Sequence, residues 1–146
     1  MKITNNDVIL RYIKKDDIED YKIWTTVETQ WCDWDAPWED DDWGEFLQRQ
    51  KDSLHNTPEI FYKLEIDILS GQHIGWVSSY CIDGNEGKRA IGINIVPVGK
   101  GYGEKALSLF MANLFIYADK NILYTQTWSG NTPMLRLADK MWNCRN

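Results

Sequence analysis

Histidine is nearly missing from this chain: His55 and His73 are the 2 histidines among 146 residues. They stand apart, and no CxxC or HxxxH spacing occurs, so the sequence offers no structural metal site. Cysteine is scarce as well. Cys32, Cys81 and Cys144 are odd in number and widely spaced, which speaks against a disulfide framework and for reduced thiols in a cytoplasmic protein. Long apolar runs are lacking too. The longest uncharged apolar-rich stretch, Ala106 to Ala118, is too short to span a bilayer, and "MKITNNDVIL" contains no apolar signal-peptide core. No membrane partner is expected. Internal repeats, low-complexity tracts and linkers are absent, and residues 1–146 read as one domain with room for a hydrophobic core.

Positive charge is missing from one region. Between Glu28 and Gln48 there are eight acids and no lysine or arginine. Residues 1–87 carry 8 Lys/Arg against 19 Asp/Glu, and residues 88–146 carry 8 against 3, which together give the net charge of −6. Overall acidity argues against general nucleic-acid binding. The split leaves two readings open: an anion held by the C-terminal part and a cation by the N-terminal part, or an unevenly charged surface without function.

What is present gives a mixed architecture. "VILRYI" reads as a strand, and "DDIEDYKIWTTV" as a helix with Ile18, Tyr21 and Trp24 on one face. A loop and a second helix, "DDWGEFLQRQKDSL", follow. "IFYKLEIDI" and "HIGWVSSYCI" are strands, "DGNEGK" is a hairpin turn by composition, and "RAIGINIV" is the next strand. "EKALSLFMANLFIYA" is an amphipathic helix turning Leu107, Phe110, Met111, Leu114 and Phe115 inward. A strand, "ILYTQTW", and a helix, "TPMLRLADKM", end the order βααβββαβα, which is an α+β pattern.

"VPVGKGYGEKALSLF" joins strand to helix through three glycines. Such a turn suits an anion, because glycines let the backbone approach and the helix N-terminus supplies N–H groups. It is neither a P-loop, since Gly101 follows Lys100, nor a dinucleotide fingerprint, since Glu104 takes the place of the last glycine. A plain left-handed turn is the rival reading. The wider pattern favours the anion-binding reading. "LRYIKKDDIEDYKIW", "IGWVSSY", "GKGYGEKAL" and the later "SGN" together resemble the GNAT superfamily of acetyl-CoA-dependent N-acetyltransferases, and within it the Rim-type ribosomal-protein acetyltransferases.

The resemblance implies a mixed, mostly antiparallel central sheet flanked by helices, with acetyl-CoA as co-substrate. Backbone N–H groups along Val98, Gly99, Lys100, Gly101, Tyr102, Gly103 and Glu104 would hold the diphosphate, although Val98 stands where the family has a polar residue. The strand ending Asn94, Ile95, Val96 would lie along the pantetheine arm, and an N–H near Ile95 or Val96 would stabilise the thioester oxyanion. Asn131 matches a family asparagine that contacts the cofactor; it also suits a helix N-cap before Pro133. The acceptor would attack directly, with no covalent enzyme intermediate.

The acidic, tryptophan-rich stretch falls where that family selects its acceptor. Carboxylates beside aromatic faces attract cations, so a small cationic amine or a peptide amine is the expected partner. Trp24 and Trp43 read as core residues, and Trp31, Trp34 and Trp38 as a substrate wall. Asp35 and Glu39 are the candidate bases, because Asn94 and Ala138 replace family residues that handle protons. Cys81 reads as a packed strand residue. The family pattern continues past Trp142-Asn143 into two more strands, so the resemblance describes a C-terminally shortened domain lacking its last hairpin. That leaves the edge "LYTQTW" to pair with another copy, and a homo-oligomer is expected. A non-catalytic coenzyme-A-binding relative is the alternative, and a carbohydrate-binding tryptophan surface is a third.

Overall fold

A computed structural model describes residues 2–28, 42–56, 62–82, 85–96, 101–117, 123–125, 134 and 136–137. Its elements are β1 (Lys2–Thr4), β2 (Val8–Arg11), α1 (Asp17–Thr26), α2 (Trp43–Ser53), β3 (Lys63–Ile68), β4 (His73–Ile82), β5 (Asn85–Ile95), α3 (Tyr102–Tyr117) and β6 (Tyr124–Thr125). The strands form one sheet in the order β1-β2-β3-β4-β5-β6. Neighbours are antiparallel from β1 to β5, and β6 joins β5 in parallel. The expected mixed, mostly antiparallel sheet flanked by helices is what the chain forms.

Three local differences from the sequence reading have simple causes. β1 is three residues long, too short to show a period. It is held because the Asn5 side chain accepts bonds from the Asp7 and Val8 N–H groups at 2.8 and 2.9 Å and so turns the chain into β2. β5 begins at Asn85 rather than Arg89, since the ladder shifts at Cys81/Ile82 and continues to pair Ile82 with Asn85. α3 begins at Tyr102, two residues before Glu104.

The sheet has two unlike faces. On one, Val8, Leu10, Leu64, Ile66, Ile74, Val77 and Ile91 meet Ala106, Leu107, Phe110 and Leu114 of α3, with Met134 beside them. Each fully buried side chain of this size contributes about 1.5–3 kcal/mol. On the other face, Tyr21 and Trp24 of α1 and Trp76 of β4 form a second cluster, joined by Trp43, Phe46, Leu47 and Val96. Trp24 is thus a core residue, and Trp43 packs against that core half-buried.

The strand "KLEIDI" puts Leu64 and Ile66 on the α3 face and Lys63, Glu65 and Asp67 under α1 and α2. This is the feature that positions the site. Gly75 is required on the neighbouring strand: a Cβ there would lie 2.0 Å from the Asn94 carbonyl oxygen. Cys81 is a half-buried residue of β4 with the Arg89 guanidinium 3.8 Å from its sulfur. Cys32 and Cys144 lie outside the described residues.

Candidate functional site

Arg11 ends β2 and points under α1. Its Nε and Nη2 donate to Asp67 at 2.7 and 2.9 Å, and its Nη1 and Nη2 donate to Asp17 at 2.7 and 2.9 Å. A further bond from Nη1 reaches the Tyr12 carbonyl at 3.0 Å, so all five guanidinium donors are used. Asp17 opens α1 and also accepts from the Lys14 N–H at 2.8 Å. Burial alone would lower the Arg11 pKa, but Asp17 and Asp67 more than offset it and hold the group above its ordinary value. Burial would raise Asp17; Arg11, the Lys14 N–H and His73 outweigh it and hold the carboxyl below its ordinary value.

Next to this pair runs a second chain of polar groups. Lys63 Nζ donates to the Tyr21 hydroxyl at 2.7 Å, to Gln50 Oε1, and to Glu65 at 3.0 Å, which uses all three ammonium donors. The Tyr21 hydroxyl in turn donates to Glu65 Oε1. His73 stands between the two groups. Its Nε2 lies 2.9 Å from Glu65 Oε1, and its Nδ1 lies 2.9 Å from Asp20 and 3.3 Å from Asp17. Burial lowers Lys63 despite Glu65, and burial together with Glu65 raises Tyr21. For His73, burial would lower the pKa, yet Glu65, Asp17 and Asp20 overcome it and raise it.

One donor atom each of Asp17, Glu65 and His73 fall within 4.8 Å of one another. The Asp17 and Glu65 oxygens are already bonded to Arg11, Lys63 and Tyr21, so the chemistry of the group is that of an ion network with its charges internally paired.

A different arrangement lies at the end of β5. The Val96 N–H donates to the Ile74 carbonyl at 2.9 Å. Antiparallel strands alternate the direction of their backbone groups, so the N–H and carbonyl of Ile95 point away from β4, toward the β6 side. Among the described residues, β6 pairs only with Ala90 and Ile91. Gly101 has φ 80°, and a Cβ there would meet nothing within 4 Å. That left-handed residue turns the chain into α3, whose first-turn N–H groups have no acceptor within the helix. Gly103 sits beside the end of β5: its Cβ position is 3.8 Å from Ile95 Cδ1 and 3.6 Å from Leu137 Cδ2.

Of the residues singled out by sequence, Ile95, Val96, Gly101, Tyr102, Gly103 and Glu104 come together here. Of the two backbone N–H groups expected to face an oxyanion, that of Val96 is bonded to Ile74 and that of Ile95 faces away from β4. Val98, Gly99, Lys100 and Asn131 lie outside the described residues, as do Asp35, Glu39, Trp31, Trp34, Trp38 and Ala138. Sequence reasoning missed Glu65, His73, Lys63, Tyr21 as a hydrogen-bonding group, and Gln50. The one available signal was Gln50 at helical spacing from Trp43, Phe46 and Leu47.

The GNAT acetyltransferase domain pattern matches residues 7–141. This chain belongs to the GNAT acetyltransferase family. Members of that family use acetyl-CoA. Solved structures agree on the fold. The GNAT-family acetyltransferase from Bacillus anthracis superposes with a TM-score of 0.68 at 14% identity, over 97% of this chain and 82% of its own. The acetyltransferase from Agrobacterium tumefaciens str. C58 gives 0.69 at 15%, with the same coverage of 97% and 82%. The spermidine N-acetyltransferase from Vibrio cholerae, in complex with CoA and spermine, gives 0.67 at 16%, over 93% of this chain and 80% of its own. No curated protein matches the sequence.

Proposed function

We propose that this protein transfers an acetyl group from acetyl-CoA to a primary amine of a small cationic molecule or peptide, by direct attack of the amine. The observation that carries the reading is the pairing, in a GNAT chain, of an outward-facing Ile95 backbone with a glycine turn at Gly101 that opens α3 beside it. The residues present fit the co-substrate. A backbone strand edge suits the amides of a pantetheine arm. A helix N-terminus behind a left-handed glycine, with open space where a Cβ would sit, suits a diphosphate.

Acetyl-CoA, when bound, supplies an activated acetyl thioester. The chain's own part is to orient that carbonyl with the Ile95 N–H and to hold the amine close, which together replace a bimolecular encounter by a positioned one. The stretch from Glu28 to Gln48, with eight acids and no basic residue, supports a cationic acceptor. The likeness to a spermidine N-acetyltransferase that binds spermine makes polyamines the first acceptors to try. Asp35 and Glu39 remain the proposed bases of that stretch. We further propose cytoplasmic localisation, from the three cysteines, and self-association through the edge at Tyr124, to be read by light scattering at micromolar concentration.

Calorimetric titration with acetyl-CoA is the first test, followed by thiol release over a panel of amines that includes spermidine. Binding with turnover supports the proposal. Binding without turnover on any amine favours a non-catalytic coenzyme-A-binding relative, and no binding at millimolar acetyl-CoA overturns both. Gly101→Val should weaken binding at least tenfold, since a β-branched residue does not adopt positive φ without strain. Unchanged affinity would place the diphosphate elsewhere.

A further inference from the structure

The surroundings of His73 raise a question of hydrogen bonding before any of titration. Both ring nitrogens face carboxylate oxygens: Nε2 faces Glu65 at 2.9 Å, and Nδ1 faces Asp20 at 2.9 Å and Asp17 at 3.3 Å. A carboxylate only accepts, and a neutral imidazole carries a single N–H. The neutral ring would therefore aim a lone pair at an oxygen on one side or the other. The charges lead to the same result. The network holds four carboxylates, Asp17, Asp20, Glu65 and Asp67, against the two fixed cations Arg11 and Lys63. A third cation at His73 brings the count to three against four, and the fourth carboxylate, Asp20, is partly open to solvent.

The contacts of that ring reach the acetyl site. His73 packs on Trp24 at 4.7 Å and on Tyr21 at 5.9 Å between ring centroids, and Trp24 stacks on Trp76 at 6.0 Å. Val96, which follows the Ile95 backbone, packs into the same aromatic cluster. Asp17, Asp20, Tyr21 and Trp24 all belong to α1, whereas His73 and Glu65 belong to the sheet.

We propose that His73, held as an imidazolium, is a positioning residue that fastens α1 and its aromatic face over the sheet beside the end of β5. Among the described residues, the polar groups around it are Asp17, Asp20 and the Tyr21 hydroxyl from α1, and Glu65 with Lys63 and Asp67 from β3. Arg11 of β2 stands behind Asp17. From α2, Gln50 joins the network through Lys63. The folded pKa lies above the ordinary value of 6.5, so the clamp's contribution is fully present below about pH 6.5 and is lost as pH rises through the raised value. The functional consequence rests on the acetyltransferase reading: transfer gains a falling alkaline limb, set against the rise that deprotonation of the amine brings.

The test uses the full chain. His55→Gln leaves His73 as the sole histidine, whose ring nitrogens are followed by NMR. Two protonated nitrogens at about pH 6 and a midpoint above 6.5 are expected; a midpoint at or below 6.5 overturns the proposal. Hydrogen exchange of the α1 amides, corrected for intrinsic rates, should speed up through the same midpoint while α3 stays protected. Exchange of α1 that ignores the midpoint also overturns it. Asp20→Asn, at the solvent edge of the network, should lower the midpoint by about one pH unit, a tenfold drop in proton affinity. Because this variant keeps the His73 ring, it tests the clamp without removing it from the core, and an unchanged midpoint overturns the proposal. With spermidine as the probe amine, the alkaline limb of the acetylation rate should move with the midpoint in Asp20→Asn. Absence of acetyl-CoA binding would sink the acetyltransferase reading and leave the NMR and exchange results to decide the clamp.

Discussion

Replacing Arg11 by methionine tests what the buried network is worth. The substitution keeps most of the unbranched side chain and deletes the guanidinium. Arg11 donates four bonds to two carboxylates, two each to Asp17 and Asp67, and their side chains are only 1% and 9% exposed. Breaking a buried pair from one side costs about 3–5 kcal/mol, because an uncompensated charge stays behind. Asp17 keeps the Lys14 N–H and His73 as partners, which moderates its share; Asp67 bears the larger part. A loss of about 4 kcal/mol would take away a large fraction of a stability of about 5–15 kcal/mol. At about 2–4 °C per kcal/mol, the melting temperature would fall by about 8–16 °C. Urea unfolding followed by tryptophan fluorescence should show a lower midpoint with an unchanged slope. Arg11→Lys should fall in between, since three donors cannot serve both carboxylates with a planar fork. Adding Asp17→Asn and Asp67→Asn to Arg11→Met should recover most of the loss, because the stranded charges are gone. A loss below about 1 kcal/mol in the single variant, or no recovery in the triple, would refute the reasoning and assign the cost to packing.

Acid should unfold the protein through the same residues. Asp17 has its pKa lowered from 3.8, so its contribution is present above that value and disappears as pH falls through the lowered one; a pH series of urea midpoints, flat near pH 5 and dropping below about 3.8, is the expected record. Gly75→Ala should cost upwards of about 2 kcal/mol by overpacking, since its Cβ would press into the Asn94 carbonyl at 2.0 Å. Thermal melting reads it, and a loss under about 0.5 kcal/mol would show that the strand yields easily. Tyr21→Phe removes the hydroxyl shared by Lys63 and Glu65 and should cost about 1–3 kcal/mol. If calorimetry finds acetyl-CoA affinity unchanged in that variant, the loss belongs to the network and not to the cofactor site.

Most of the fold was legible because its apolar periods are honest. Ile18, Tyr21 and Trp24 recur at helical spacing and are buried, as are Leu107, Phe110 and Leu114 of α3. Val8 and Leu10 alternate with more exposed positions until Arg11. The elements that escaped are those in which backbone bonds, rather than side-chain pattern, define the structure. β1 depends on a turn held by Asn5, and the start of β5 depends on a ladder that continues past a bulge. Turn-like residues such as Asn85 and Gly87 sit in that strand, where composition predicted a hairpin loop.

The site divides along the same physical line. Backbone chemistry at a glycine turn leaves a mark in sequence, because only glycine tolerates φ 80° without strain, and Gly101 could be singled out on that ground. Buried ionic chemistry leaves an ambiguous one. "KLEIDI" alternates polar and apolar residues exactly as a strand with one wet face does, and nothing within those six residues says that α1 and α2 cover the polar side. The information is distributed: Arg11 and Lys63 reach Asp17, Asp67 and Glu65 only once β2, β3 and α1 meet. That dependence has a consequence for the molecule. Burying several charges between a helix layer and a sheet is costly unless every donor and acceptor is matched, so a shift of α1 along this sheet would strand Arg11 and Asp17. Its aromatic face, packed on Trp76 and Val96, is then held in place by ionic contacts as well as by apolar fit.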